Sequence, residues 1–293
     1  MKKTPVIFFG SEKSSLLVLE KLSSIPFIKI NLIVTRPSSK TIIQYAKKNQ
    51  ISLLTPIKLN KKSISIIARG HPSIGILASY GQIIPPQLIQ IFSRGIINIH
   101  PSLLPQLRGS SPIENTILSG LKKSGVSIML LDNDVDHGPI LIQKKTTINP
   151  NTNQKELTQK LFKIGADLLA QYLKKYLNDE MKPHPQDHSK ATFTKKLRRQ
   201  DGYIKFSQLK KAIYEGGPIA VKIEQKIRAF LPWPSVYTFF PNIKKNASQE
   251  KQRIKILKAN LNNHKKLVLQ EVQFAGRQSI KWNKNLQKIY FSQ

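Results

Sequence analysis

Short apolar runs alternate with amphipathic stretches through the first half of the chain. The runs at residues 6–10, 28–34, 51–54 and 74–79 are bounded by Gly, Pro or polar clusters and read as strands. Between the first two, residues 11–21 carry Leu16 and Leu19 at helical spacing, continued by Leu22 and with Val18 adjoining; Ser11 or Ser14 is available as the cap. Residues 39–49 read as a second, shorter helix. Strands alternating with helices imply a parallel sheet of βαβ units. A further apolar run, Gly95-Ile96-Ile97, leads into Asn98-Ile99-His100-Pro101, where prolines force the chain out of the sheet. A helix over 112–119 and strands over 125–131 and 140–148 follow. Leu157, Leu161, Ile164, Leu168 and Leu169 then give a long amphipathic helix over 153–176.

The pattern changes after residue 177. Residues 178–190 are polar and Pro-rich, and the division expected is a first domain over 1–177, a linker over 178–200 and a second domain over 201–293. The second part holds a helix-like stretch at 223–230 and short strand-like runs at 236–240, 254–257, 267–272 and 280–282, which suggest a small β barrel. Residues 208–220 fit neither pattern.

Composition narrows the class. At 293 residues the chain can build two cores. It has no Cys, which excludes a disulfide framework, a Cys metal site and a Cys nucleophile. No apolar run approaches the roughly 20 residues that span a bilayer, and Met1-Lys2-Lys3 leads straight into a strand-like run, so the expectation is a cytoplasmic protein with no membrane partner. The formal charge of +32 makes a polyanion, and nucleic acid first, the expected partner. Basic pairs such as Lys61-Lys62 and Lys195-Lys196 are spread along the chain, so charge alone locates no groove.

The chemistry concentrates at Asn98 and His100. Period two places both on one side of their strand, about 7 Å apart at roughly 3.3 Å per residue. The end of such a strand is where open α/β sheets bind ligands. An Asn amide can donate to a developing oxyanion, and a His can take a proton from an attacking amine. A carboxylate to orient the imidazole has three candidates: Asp132, Asp134 and Asp136. Their alternation invites a calcium loop, but His137 stands where that loop needs Gly and Gln143 where it needs Glu. His184 and His188 are four apart, but Pro183 and Pro185 break any helix that would align them, so they read as linker and not as metal ligands. Ser102 has no nucleophile elbow around it. Arg108-Gly109 is either a phosphate or RNA contact or a solvated turn. Trp233, between prolines, is expected to pack in a core in preference to stacking on a base.

Asn98-x-His100-x-Ser102-Leu103-Leu104-Pro105, followed 36 residues beyond His100 by Asp136-x-Gly138-Pro139, resembles the folate-dependent formyltransferase family. Tyr80-Gly81-Gln82, Leu107-Arg108-Gly109 and Ile227-Arg228-Ala229-Phe230-Leu231-Pro232-Trp233-Pro234 resemble its tRNA-acting members, as does the stretch 186–203. The resemblance covers nearly the whole chain. It implies a Rossmann-like catalytic domain with a mostly parallel sheet and a C-terminal OB-like β-barrel that binds tRNA. It also implies transfer of the formyl group of 10-formyltetrahydrofolate, without metal, to the α-amino group of methionyl initiator tRNA for translation initiation. The alternative is formylation of a nucleotide-sugar amine or other small amine. In this frame Asn98, His100 and Asp136 are catalytic, and the donor lies against Ser102, Leu103, Leu104 and Pro105, near residues 80–84. A monomer is expected. After Val34-Thr35-Arg36-Pro37 the chain goes almost directly to a helix, where the tRNA-acting members carry a longer Gly- and Lys-containing loop.

Overall fold

The computed structural model describes residues 3–240 and 252–291. The chain separates into two compact units. The first runs to Pro112 and adds Lys123–Thr147 and Leu157–Lys195; the second comprises Ile113–Lys122, Ile148–Glu156 and the chain from Lys196 on.

The first unit is built on a seven-stranded sheet. Its elements are β1 (Thr4–Gly10), α1 (Lys13–Ser23), β2 (Ile28–Val34), α2 (Lys40–Lys48), β3 (Ser52–Leu54), α3 (Lys61–Ala68), β4 (Ile74–Ala78), α4 (Pro86–Ile89) and β5 (Ile96–His100). Beyond a two-residue β6 (Arg108–Gly109) come β7 (Lys123–Leu130), β8 (Ile140–Thr147), α6 (Gln154–Leu177) and β9 (Phe193–Thr194); α5 (Pro112–Leu118), between β6 and β7 in the chain, falls almost wholly in the second unit. The strand order is β3-β2-β1-β4-β5-β7-β8. The first five are parallel, as βαβ alternation requires, and β7 runs antiparallel to both β5 and β8. All five residues of β5 are buried, so its two polar members, Asn98 and His100, are held inside protein and not on a loop. Helix α6 lies against this region at Gly165: a Cβ there would stand 2.5 Å from Ile99 Cγ2, so only glycine allows the approach.

Three local expectations need correction. Helix α1 starts after Glu12 with no side-chain cap; Ser11 Oγ instead accepts from the Arg36 backbone N–H at 3.1 Å, tying the ends of β1 and β2 together. Helix α3 is additional to the sequence reading, and Asn60 caps it through Ser63 N. Residues 178–195 belong to the first unit's fold, beginning with a backbone exchange between His184 and Ile140.

Tyr80, just after β4, packs edge-on against Phe9 at 5.8 Å between ring centroids. Its hydroxyl is buried with no hydrogen-bond partner among the described residues, and burial pushes its pKa up to about 12. An unpaired buried hydroxyl costs roughly 1–3 kcal/mol. Tyr80→Phe is therefore expected to raise the melting temperature by a few degrees. The folded-state pKa lies above the ordinary value of 10.0, so the wild type should lose stability as pH rises from 10 toward 12, and the variant less. A lower melting temperature for Tyr80→Phe would show that the hydroxyl has a partner.

The second unit carries α7 (Phe206–Tyr214), α8 (Pro218–Ala229), a sheet of β10 (Val236–Phe240), β11 (Gln252–Leu261), β12 (Leu267–Phe274) and β13 (Ser279–Lys281), and α9 (Lys284–Phe291). The four strands are antiparallel in sequence order, and among the described residues no pairing closes β13 onto β10. Residues 208–220, unassigned by pattern, are α7 and the start of α8. Phe206, Phe240, Trp282, Tyr290 and Phe291 form the aromatic core. Trp233 is outside it: the residue is 54 % exposed, against the expectation of a packed core aromatic.

Candidate active site

Strand β5 fixes two of the three residues that sequence spacing brought forward. Asn98 and His100 alternate with Ile97 and Ile99, so both point to the same side of the sheet. Just past them the chain turns back on itself, the Ser102 N–H donating to His100 O at 2.9 Å. The turn is nailed to the neighbouring strands by Ser127. That hydroxyl donates to Ser102 O at 2.7 Å and accepts from Leu104 N at 3.0 Å, while Gln143 donates to Leu104 O at 2.8 Å. The Ser102 hydroxyl donates to Gln106 O at 2.6 Å, and Leu104 is buried. Among the four residues expected against a donor, Leu103 and Pro105 are only partly covered, whereas Ser102 and Leu104 are folded inward.

The third residue arrives from the loop between β7 and β8. Asp136 sits in the left-handed region at φ 51° and turns its carboxylate onto the end of β5. Asp136 Oδ1 accepts from Asn98 Nδ2 at 3.3 Å and lies 3.5 Å from His100 Nδ1; Oδ2 accepts from the Gly109 N–H at 2.8 Å. The other ring nitrogen, His100 Nε2, lies 3.1 Å from Leu107 O. Both imidazole nitrogens therefore face oxygen atoms. The His100 and Asp136 side chains are 5 % and 12 % exposed, so their interaction is largely shielded from solvent.

Of the rival carboxylates, Asp132 is engaged elsewhere and Asp134 is exposed. Asp132 Oδ2 pairs with His137 Nδ1 at 2.6 Å, and its Oδ1 accepts from Asp134 N. Among the described residues no group of three His, Cys, Asp or Glu side chains is arranged to hold a metal ion. Arg108 is neither a solvated turn nor a phosphate contact: it is 3 % exposed and donates to Gln186 Oε1 from Nε at 3.1 Å and from Nη2 at 2.6 Å. Gln186, Thr192 and Thr194, all from the polar stretch after α6, also contact this region, and no pattern in their own residue types marks them. Their one sequence signal was the likeness of 186–203 to the family's interdomain segment.

The model of the formyl transferase family matches residues 6–173, and that of its C-terminal domain matches residues 218–277. The chain belongs to the formyl transferase family. The first match encloses Asn98, His100 and Asp136, and the second spans α8 through β12. Among family members, the methionyl-tRNA formyltransferase of Roseiflexus castenholzii is 36% identical over 80% of this chain and 75% of its own length. The solved methionyl-tRNA formyltransferase from Clostridium thermocellum shares the fold with a TM-score of 0.57 and 17% identity, covering 92% of this chain and 98% of that one. An N-formyltransferase from Helicobacter canadensis, solved with folinic acid and dTDP-3-aminofucose, aligns with a TM-score of 0.62 and 16% identity over 90% of this chain and 89% of that one. Formyl transferases of this family draw on folate-derived formyl donors, and the chain is an enzyme of formyl transfer.

Proposed function

We propose that the enzyme moves the formyl group of 10-formyltetrahydrofolate to the α-amino group of methionyl initiator tRNA. The observation that carries the reading is the convergence of Asn98 and His100 on one carboxylate oxygen of Asp136, inside the segment matched to the formyl transferase family. The relatives named as methionyl-tRNA formyltransferases support the acceptor. The reading also has the enzyme acting in the cytoplasm as a monomer; no helix among the described residues is long and apolar enough to cross a membrane.

The chemistry follows from the donors at the end of β5. As the acceptor amine forms its bond to the formyl carbon, negative charge builds on the formyl oxygen. Asn98 has two amide hydrogens; one goes to Asp136, leaving the second for that oxygen. His100 Nε2 exchanges the Leu107 carbonyl for the reacting groups and, directly or through a water, carries the amine's proton to the folate nitrogen as its bond to carbon breaks. Asp136 holds the ring and stabilises its positive form. No covalent enzyme intermediate is needed. The donor's ring system would lie over the partly covered Leu103 and Pro105 and beside residues 80–84. Ile84 and Tyr80 share a hydrophobic cluster with Leu131, so the loops after β4 and β7 border one another; Ile83, on the first, is 80 % exposed and offers apolar surface.

Labelled formyl donor supplied with methionyl initiator tRNA and, separately, with a nucleotide-sugar amine tests the acceptor. Label is expected in the tRNA. Label in the small amine alone would replace this reading with the second one, to which the short connection between Val34 and Lys40 lends support. Salt gives an independent check: if tRNA phosphates are bound, log affinity falls linearly with log salt, by about 0.7–0.9 per phosphate contact. A flat response would remove the polyanion from the reading.

A further inference from the structure

We infer that Gln186 is a positioning residue for Asp136, so that the polar stretch after α6 braces the catalytic turn. This rests on the catalytic reading of Asp136 given above. Gln186 is buried and uses both ends of its amide. Its Nε2 donates to Asp136 O at 2.9 Å and to Gly138 O at 2.7 Å, clasping the main chain on either side of His137. Its Oε1 receives the Arg108 guanidinium. Arg108 is anchored in turn by His188 Nδ1 at 2.8 Å and lies over the Phe193 ring. It also precedes Gly109, whose N–H donates to Asp136 Oδ2.

One side chain thus links the two backbone segments that aim the Asp136 carboxylate. The turn needs such a clasp. Asp136 occupies a left-handed conformation that costs a non-glycine residue roughly 1–2 kcal/mol, and it keeps that conformation only while its surroundings hold it. On the far side, Thr194 receives Gly109: Thr194 Oγ1 donates to Arg108 O at 3.1 Å, and a Cβ on Gly109 would meet Thr194 O at 2.6 Å. Gln186 acts on main-chain carbonyls of the turn and on Arg108, so its effect is on turnover through Asp136.

The test is a double-mutant cycle on the full-length enzyme. Gln186→Met, similar in size but without donor or acceptor amide, is expected to lower kcat about 10- to 100-fold while KM for donor and tRNA changes less than about threefold. In an Asp136→Asn background the same change should cost less than about threefold, because the carboxylate it positions is gone. Gln186→Glu keeps an acceptor for Arg108 but cannot donate to the two carbonyls, and is expected to lose turnover like Gln186→Met. Equal fold-losses in both backgrounds, wild-type kcat in either Gln186 variant, or loss of the folded state by both would overturn the assignment and leave Gln186 a purely structural residue. Wild-type turnover in Asp136→Asn alone would instead refute the catalytic reading of Asp136, and the brace with it.

Discussion

Removing the imidazole with His100→Ala is expected to reduce kcat/KM for formyl transfer by about 10²- to 10⁴-fold, the range spanned by positioned acid–base groups. Asn98→Ala is expected to cost about 10²- to 10³-fold, the range for a single oxyanion donor. Both side chains lie on a fully buried strand, yet neither contributes to the apolar packing around Ile97 and Ile99, so the circular dichroism spectrum should be kept. The two losses should not multiply. Asn98 and His100 meet the same atom, Asp136 Oδ1, so the double variant should fall little below the worse single one. Either variant turning over at the wild-type rate would take that residue out of the catalytic assignment.

The second large effect is expected at Gly138. An alanine Cβ there would run into the Leu130 carbonyl oxygen, a backbone atom that cannot swing aside as a flexible side chain could. Leu130 is itself locked by its N–H donating to Pro139 O at 2.9 Å. The strain must therefore go into the loop that carries Asp136. Gly138→Ala should destabilise the protein by about 1–3 kcal/mol or more, a drop in melting temperature of about 2–4 °C for each kcal/mol. It should also lower kcat at least about tenfold by displacing the carboxylate. Wild-type values for both measurements would show that the loop yields freely and that its conformation is not set by the glycine.

The parallel sheet and the end of β5 were legible because their signals are local. An apolar run that stops at Asn-x-His and then meets prolines can hardly be anything but a strand end with two polar side chains on one side. Asp136 required more: three alternating carboxylates were equivalent by pattern, and only the family spacing chose among them. The structure separates them by a left-handed residue that composition does not show. Helix α3 does not show in the sequence pattern because Lys61, Lys62, Ser63 and Ser65 leave too few apolar positions to display a period; its one local signal is the Asn60 cap. The stretch 178–200 reads as linker because the bonds of its residues to the first unit come from backbone groups and single polar side chains, which leave no hydrophobic pattern. Arg108 and Trp233 failed in opposite directions, a cation inside and an indole outside, for the same reason: burial there is set by what distant segments cover.

The pairing of Arg108 with Phe193 and of Gly109 with Thr194 has a practical consequence for dissecting the enzyme. A catalytic fragment cut where the composition changes, after Leu177, would lack the strand that lies beside Arg108 and Gly109, along with the glutamine that spans the Asp136 loop. Its sheet would be complete and Asn98, His100 and Asp136 present, but the side chain that clasps the Asp136 loop and the strand paired with Arg108 and Gly109 would be on the discarded piece. The compact first unit itself extends through Lys195.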